Sequence, residues 1–136
     1  MTGAGSQGDG IGNGRAAAIL LAASGARVLC VDRQVELAQR TVEMIRAAGG
    51  EAEAWRADVT AAEQCHGMVD QAMARWGRLD VLDNNVGIGS RGSVLDEDLL
   101  RWQRVMEVNV HSMVLASRAA IPAMIAKLGA NALFAG

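Results

Sequence analysis

The sequence predicts an α/β fold in which helices cover both faces of a parallel sheet. Three observations support this prediction. Apolar runs of strand length alternate several times with segments of helical periodicity. Glycines or a capping pattern stand at several of the junctions between them. Alanine and glycine are abundant while aromatic residues make up 3% of the chain, which suits closely packed helices better than a β-sandwich.

The elements follow one another without a repeat, a low-complexity tract or a linker, so we interpret residues 1–136 as one partial domain. Gly25 is well placed to end the first helix. Thr60 and Glu63 have the spacing of a capping box, which predicts that a helix begins at Thr60. In order, we expect a helix over 14–24, a strand over 27–33, a helix over 34–48, a strand over 51–59, a helix from Thr60 to about Trp76, a strand over 79–87, a loop near 88–95, a short helix, a long helix ending near Lys127, and the start of one more strand in the last eight residues.

Composition and charge exclude several classes of function. The 136 residues are 51% hydrophobic and carry a formal net charge of −2, so the chain has no basic surface for a nucleic acid. We find no signal-peptide layout and no uninterrupted apolar run long enough for a membrane span, and therefore expect no membrane partner. Cys30 and Cys65 lack the spacing of a disulfide framework or a zinc site, which favours a reducing, cytoplasmic location and no bound metal.

The chain opens with the glycine-rich stretch MTGAGSQGDGIGNGRAAA. From Thr2 to Gly12 it fits T-G-x-x-x-G-x-G if residues 7–9 are an insertion in the turn. Glycines are needed there because a diphosphate can approach backbone amides closely only where no Cβ intervenes. A plain flexible turn remains an alternative, whereas a P-loop is disfavoured because no Gly-Lys-Ser/Thr follows.

Asp32 strengthens the dinucleotide interpretation. It ends the next apolar run, 20 residues beyond Gly12, where an acidic residue can accept hydrogen bonds from the two hydroxyls of an adenosine ribose. Its charge would repel a 2′-phosphate, so NAD is favoured over NADP. Arg33 weakens that preference because an arginine can pair with a phosphate. The alternative is an ordinary aspartate that caps the following helix.

Several motifs in order resemble the N-terminal part of the short-chain dehydrogenase/reductase family. The matching segments are TGAGS…GIG, VDR at 31–33, ADVT at 57–60, NNVG at 84–87, VNV at 108–110 and IPAM at 121–124. The resemblance implies a Rossmann-like doubly wound parallel sheet, here incomplete, with the first strand and the C-terminal part missing.

The resemblance also implies which residues bind the cofactor. Asp58 and Val59 match the pair that holds the adenine, and Asn109 matches an asparagine that kinks the long helix and holds a water of the proton relay. The full set of expected cofactor-binding residues is Gly3, Ser6, Gly10, Ile11, Gly12, Asp32, Arg33, Asp58, Val59, Asn85, Val86 and Gly87.

The catalytic serine, tyrosine and lysine of the family have no counterparts in the sequence. The chain has no tyrosine, and its single lysine, Lys127, has no tyrosine partner. Ser112 and Ser117 lie too early, on the long helix. Loss of general acid catalysis alone costs a factor of about 10² to 10⁴ in rate.

The family's first strand is reduced here to Met1. By analogy, that strand occupies the middle of the sheet, so we expect the strands that end at Asp32 and Asp83 to lose their shared neighbour. Asp83 itself stands where a branched apolar residue is expected. Either its carboxylate is buried and destabilises the fold, or the missing strand leaves it exposed to water.

We therefore predict the cofactor-binding half of an NAD-dependent oxidoreductase that transfers hydride between a nicotinamide and an alcohol or carbonyl carbon. As written, the chain is not expected to turn over. We expect a small-molecule alcohol or ketone substrate if the chain is completed, and a homo-oligomer formed through the helix over 105–127. The alternatives are a non-catalytic nucleotide-binding or dimerising module and a truncated, non-functional fragment.

Overall fold

The computed structural model describes residues 1–6 and 10–128. In these ranges the structure has five α-helices and two of the three strands expected there, and the expected strand in the last eight residues lies outside the described residues. The elements are α1 (Asn13–Ala23), β1 (Val28–Asp32), α2 (Val35–Ala47), β2 (Ala52–Arg56), α3 (Ala62–Trp76), α4 (Leu99–Met106), a π-helical segment (Glu107–His111) and α5 (Ser112–Leu128).

The two strands pair in parallel, in a register that runs from Val28 opposite Ala52 to Asp32 opposite Arg56. On the other side of β1, Thr2 bridges in parallel to Val31 and also to Asn84. The order across the sheet is therefore β2, β1, the first residues of the chain, and the segment around Asn84. This confirms the α/β fold with parallel strands.

The first four residues lie between β1 and the segment around Asn84. The Thr2 N–H donates to the Asp83 carbonyl at 2.9 Å, and the Val31 N–H donates to the Met1 carbonyl at 2.9 Å. The Ala4 N–H donates back to the Val31 carbonyl at 3.2 Å. The expected loss of the shared neighbour is thus wrong at this end of the sheet, because Met1–Ala4 make the hydrogen bonds that connect its two sides.

The predicted strand over 79–87 is wrong as an extended element, since Asn84 is the one residue of that segment that bridges to a neighbour. Its leucines and valines suit a strand, but a strand needs a partner along its length, and among the described residues Thr2 alone bridges to it. Asp83 is half-buried, and its carbonyl accepts the hydrogen bonds of both the Thr2 amide and the Thr2 hydroxyl.

The predicted capping box at Thr60 is also wrong. Helix α3 begins at Ala62, its N-cap residue is Ala61, and no side chain caps it. The Thr60 hydroxyl instead donates to the Asp58 carboxylate at 2.6 Å. A nearby carboxylate is a stronger acceptor than a neutral oxygen, and an aspartate two residues earlier offers the local turn that competes with helix formation.

The core lies in two clusters on opposite faces of the sheet. Val28 and Cys30 pack with α1 and α2, whereas Leu29 and Val31 pack with α3 and α5. This alternation follows from the two-residue period of a strand, and the continuous apolar run of β1 results from burial on both faces.

The long helical run Leu99–Ala126 is long and apolar enough to cross a membrane by length and composition, with a mean hydropathy of 1.2. This is a weak indication because the core helix of a soluble protein meets the same criteria. Pro122 lies inside the helix. Many of its apolar side chains are exposed in the single chain, among them Leu99, Leu100, Trp102, Met106, Val110, Met113, Val114 and Ile121.

Candidate functional site

A cavity of about 510 Å³ lies at the carboxyl ends of β1 and β2. Five segments line it: the glycine-rich opening, the end of β1, the residues after β2, residues 85–88, and α4 with Val108. Its volume is in the usual range for small-molecule and cofactor sites. This edge of a parallel sheet is also where open α/β folds bind ligands.

Close contact between the glycine-rich opening and α1 depends on Gly14. A Cβ on Gly14 would lie 1.9 Å from the Gly3 carbonyl oxygen and 2.5 Å from Nδ2 of Asn85, so no side chain fits. Gly3 has a φ of +65°, in the left-handed region. Helix α1 begins at Asn13, directly after the N-cap residue Gly12, and directs its free amides toward this edge.

The Asp32 carboxylate faces the glycine-rich opening. Its Oδ2 accepts the Gly5 N–H at 3.1 Å, and its Oδ1 accepts the Gln34 N–H at 3.0 Å. A Cβ on Gly5 would come within 2.6 Å of Oδ2. Asp32 is half-buried and lines the cavity, so it retains acceptor capacity toward a bound molecule.

A buried arginine lies behind the glycine-rich opening. Arg15 is 2% exposed, and its Nη1 donates to the Gly10 carbonyl at 3.0 Å. Its Nε donates to Oγ1 of Thr41 at 3.1 Å, and Thr41 in turn donates to the Ala4 carbonyl at 2.7 Å. Within the described residues, Nη2 has no hydrogen-bond partner. The guanidinium therefore connects Gly10 to Thr41, and through Thr41 to Ala4, and leaves a buried positive charge behind the described part of the opening.

Asp58 follows β2 at the same edge of the sheet. Its Oδ1 accepts the Thr60 amide and hydroxyl at 3.0 and 2.6 Å. The Thr60 hydroxyl bond is the largest cause that lowers the pKa of Asp58 below 3.8, opposed by burial and supported by the Thr60 amide and the charges of Arg104 and Arg33. Asp58 is therefore a carboxylate at neutral pH.

Comparison with known proteins decides the family. The family model described as short chain dehydrogenase matches residues 2–135. The chain belongs to the short-chain dehydrogenase family. Members of this family typically use a nicotinamide cofactor.

Relatives of this short-chain dehydrogenase chain are about twice as long as the chain itself. It is 39% identical over 118 residues to 2-(S)-hydroxypropyl-CoM dehydrogenase 3 of Xanthobacter autotrophicus, covering 87% of this chain and 46% of that protein. It is 39% identical over 117 residues to cyclopentanol dehydrogenase of Comamonas testosteroni, covering 86% and 47%.

Solved structures agree on the fold. A short-chain dehydrogenase/reductase from Burkholderia xenovorans is 40% identical, with a TM-score of 0.87, over 90% of this chain and 49% of that one. A metagenomic short-chain oxidoreductase in complex with NADP is 36% identical, with a TM-score of 0.82, over 93% and 55%. The chain thus has the Rossmann-like fold of the family and corresponds to the N-terminal half of its relatives.

Asn109 lies in the π-helical segment of the long helix, and its amide holds the backbone of residue 88. Its Oδ1 accepts the Ile88 N–H, and its Nδ2 donates to the Ile88 carbonyl, both at 2.8 Å. A π-helical segment widens the helix locally and is frequent at functional sites of enzymes. The bidentate pair fixes the loop that follows residues 85–87 against the helix, and the role of Asn109 in a proton relay stays a prediction.

The structure brings together eight of the twelve cofactor-binding residues expected from the sequence. The residues that line the cavity are Gly3, Asp32, Arg33, Asp58, Val59, Asn85, Val86 and Gly87. Ser6, Gly10, Ile11 and Gly12 do not line it. The Ser6 hydroxyl accepts the Gly12 N–H at 3.2 Å, Ile11 is 65% exposed, and a Cβ on Gly10 would meet nothing within 4 Å.

Sequence reasoning missed several residues that line the cavity, including Gly5, Asn13, Gly14, Arg101 and Arg104. A usable signal existed for two of them. Gly12-Asn13-Gly14 is a second G-x-G, directly before the alanine run, and it places a glycine inside the first turn of the helix. Nothing local in the sequence marks Arg101 and Arg104, because a distant helix brings them to the cavity.

No group of three or more histidine, cysteine or carboxylate side chains that could hold a metal occurs among residues 1–6 and 10–128. His66 and His111 are both exposed. Both cysteines are free and buried, and burial raises the pKa of the Cys30 thiol to about 11. A thiol with a raised pKa is a poor nucleophile and a poor metal ligand.

Proposed function

We propose that this chain is the cofactor-binding half of an NAD-dependent oxidoreductase that transfers hydride between a nicotinamide and an alcohol or carbonyl carbon. The observation that carries the proposal is the Asp32 carboxylate at the end of β1, held 3.1 Å from the Gly5 amide on the wall of the cavity. Such an arrangement suits one molecule that presents vicinal hydroxyls and a diphosphate together.

The chain's own groups would divide the dinucleotide among them. The free amides of α1 and the neighbouring glycine backbone suit the diphosphate, and the buried charge of Arg15 adds to the attraction. Asp32 accepts hydrogen bonds from the adenosine ribose, while Asp58 and Val59 contact the adenine. When bound, the nicotinamide supplies the hydride acceptor or donor.

NAD is favoured over NADP on electrostatic grounds. A ribose 2′-phosphate would bring two negative charges toward the Asp32 carboxylate. Arg33 lines the same cavity and offers a positive charge that reduces the discrimination. One solved relative was crystallised with NADP, so the choice within this family is not fixed by the fold.

Turnover needs groups beyond those of this chain. It contains no tyrosine to serve as the proton donor to a substrate oxygen. We therefore expect cofactor binding without measurable oxidation of alcohols. The names of two relatives, cyclopentanol dehydrogenase and 2-(S)-hydroxypropyl-CoM dehydrogenase 3, support secondary alcohols and their ketones as the substrate class of a completed protein.

The partner we propose is a second copy of the chain, paired along the helix over 105–127. The exposed apolar side chains of that helix support this pairing, since large exposed apolar patches mark interaction sites. The net charge of −2 argues against a nucleic-acid partner, and two free cysteines support a reducing cytoplasm without a membrane partner. The same exposed helix favours the alternative of a non-catalytic dimerising module.

Calorimetric titration of NADH and NADPH into the full chain tests the proposal. We expect saturable binding with NADH tighter than NADPH, and a weakening of about 10- to 100-fold for NADH in Asp32→Ala, since hydrogen bonds to a charged group are lost. Asp70→Ala, which removes an exposed carboxylate of α3 outside the cavity, is the matched control and should bind as the parent does. Equal affinities of the Asp32→Ala variant and the parent would contradict the proposal.

A further inference from the structure

An open recess of about 660 Å³ adjoins the cavity. Gly89, Ser90 and Arg91, from the loop that follows residues 85–88, line it together with Arg101 of α4. Arg101 also lines the cavity at the carboxyl ends of β1 and β2, so the two spaces meet at its side chain. The recess is therefore accessible from the place where we propose that the dinucleotide binds.

The recess contains two arginines that have no counter-charge. Within the described part of the chain, no carboxylate oxygen lies within 4.0 Å of a side-chain nitrogen of Arg91 or Arg101. Arg104, three residues further along α4, is by contrast paired with Glu107 at 2.6 Å. Two like charges on the walls of one recess attract a ligand of the opposite charge.

The acidic side chains that follow the loop accept hydrogen bonds from their own segment. The Glu97 carboxylate accepts the Ser90 hydroxyl. The Asp96 carboxylate accepts the Ser93 hydroxyl at 2.5 Å, and the Asp98 carboxylate caps α4. None of these three carboxylates lines the recess, so the charged side chains on its walls are both positive.

The backbone of the loop fixes Arg101. Its Nη2 donates to the Gly89 carbonyl at 2.9 Å. The preceding residue, Ile88, is itself held by two hydrogen bonds to the Asn109 amide. The bond to Gly89 uses one of the five N–H donors of the guanidinium, and no described residue accepts from the others. An arginine that is already oriented loses less side-chain freedom when it binds a ligand.

We propose that the recess binds a carboxylate carried by the substrate, so that the alcohol or ketone of a completed protein is a hydroxy or keto acid. The planar fork of Arg101 suits the two oxygens of a carboxylate, and Arg91 adds a second positive charge. The reacting carbon of the substrate then lies toward the cavity. The inference rests on the proposed function, because the recess selects a substrate only if the adjoining cavity binds the nicotinamide cofactor.

Binding of 3-hydroxybutanoate to the full chain tests the inference, with its methyl ester as the matched uncharged ligand. The side-chain Nε–H resonances of the arginines are followed by NMR during each titration. We expect saturable shifts at Arg91 and Arg101. The ester should bind at least about tenfold more weakly, since the charge-assisted hydrogen bonds are lost. Equal affinities for the acid and the ester would overturn the proposal.

Three substitutions locate the site. Arg101→Gln should weaken binding of 3-hydroxybutanoate at least about tenfold, and Arg91→Gln about three- to fivefold, the size expected for an exposed charge. Arg40→Gln removes an exposed arginine of α2 outside the recess and the cavity, and should bind as the parent does. Unchanged affinity in both Arg91→Gln and Arg101→Gln, or an equal loss in all three variants, would contradict the proposal.

The cofactor is titrated separately, so that the two proposals fail independently. NADH should bind Arg91→Gln as it binds the parent, because Arg91 does not line the cavity. Binding of the acid without binding of NADH would refute the proposed function, whereas binding of NADH without binding of the acid would refute this inference alone. Weaker NADPH binding in Arg91→Gln, with unchanged binding of 3-hydroxybutanoate, would assign the arginine to a 2′-phosphate of the cofactor and would also overturn it.

Discussion

The two sides of the sheet differ in regularity although their sequences predict the same element. On one side, β1 and β2 pair over five residues each. On the other, the sequence of the segment 79–83 also predicts a strand, although two of its five residues are aspartates, and its contact with its neighbour is limited to Thr2 and the adjoining residues. The difference shows that a strand is a property of a pair, because propensity expresses how well side chains fit a neighbour rather than a backbone preference.

The cavity is nevertheless complete on both sides. It requires only the carboxyl end of each strand, and one bridging residue is sufficient to bring Asn85 beside Gly3 and the first turn of α1. At the opposite end of the sheet, none of the described residues bridges β1 to the segment 79–83. The irregular pairing between β1 and the segment 79–87 therefore leaves the cavity end of the sheet connected through Thr2, whereas the other end is less regular.

The largest change to this arrangement is expected from Gly14→Ala. The new Cβ would meet the Gly3 carbonyl at 1.9 Å, so α1 must move away from the opening, and backbone atoms cannot yield as a flexible side chain does. We expect a loss of about 3 kcal/mol or more in the free energy of unfolding, measured by urea denaturation, together with loss of NADH binding.

Gly67→Ala is the matched control for that substitution. Gly67 lies inside α3, and a Cβ there would meet nothing within 4 Å, so the same replacement should stabilise the chain by about 0.5 to 1 kcal/mol through helix propensity. If both variants had the same stability, the close contact at Gly14 would not be what fixes α1.

A smaller loss is expected from Thr2→Val, which keeps the shape of a residue that is 2% exposed. The hydroxyl donates to the Asp83 carbonyl at 3.1 Å and accepts the Asn85 N–H at 3.3 Å, and valine does neither. We expect a cost of about 1 to 2 kcal/mol, with faster amide exchange at Asn85 and unchanged exchange in β2.

The control for Thr2→Val is Ser24→Ala. It removes an exposed hydroxyl at the C-cap of α1 that donates to the Leu20 carbonyl of the same helix. It should change stability by a few tenths of a kcal/mol. Exchange that accelerates equally in β2 and at Asn85 would mean that Thr2 supports the whole sheet and not one side of it.

Local patterns were sufficient to predict the alternation of helices and strands, β1, β2 and the position of Asp32, because each depends on periodicity or on a single chain distance. Two predictions that depended on a partner failed. The strand over 79–87 required a neighbour along its length, and the capping box at Thr60 lost its hydroxyl to Asp58. Arg101 and Arg104 were missed for the same reason, since their place in the cavity follows from how α4 packs.

The smallest effect is expected from Asp58→Asn, on the regular side of the sheet. The folded pKa of Asp58 lies below 3.8, so the native state binds fewer protons than the unfolded chain as the pH falls. The ionised Asp58 therefore stabilises the fold above pH 3.8, and this contribution is lost as the pH falls through the lowered pKa of Asp58 in the folded state. Because Asp58 is only half-buried, solvent screens its interactions, and we expect a contribution of less than about 1 kcal/mol.

Urea denaturation of Asp58→Asn between pH 2 and pH 6, the range in which carboxylates titrate, should accordingly show a smaller fall in the free energy of unfolding with falling pH than the parent shows. Thr60→Val separates the causes of the lowered pKa, since it removes the hydroxyl donor and keeps the backbone donor and the charges of Arg33 and Arg104. Added salt should weaken only the arginine contribution, because the hydrogen bonds to Thr60 act at contact distance. An acid decline that is unchanged in Thr60→Val and abolished by salt would assign the shift to the arginines, and would make Asp58 part of the charge pattern of the cavity instead of a local turn.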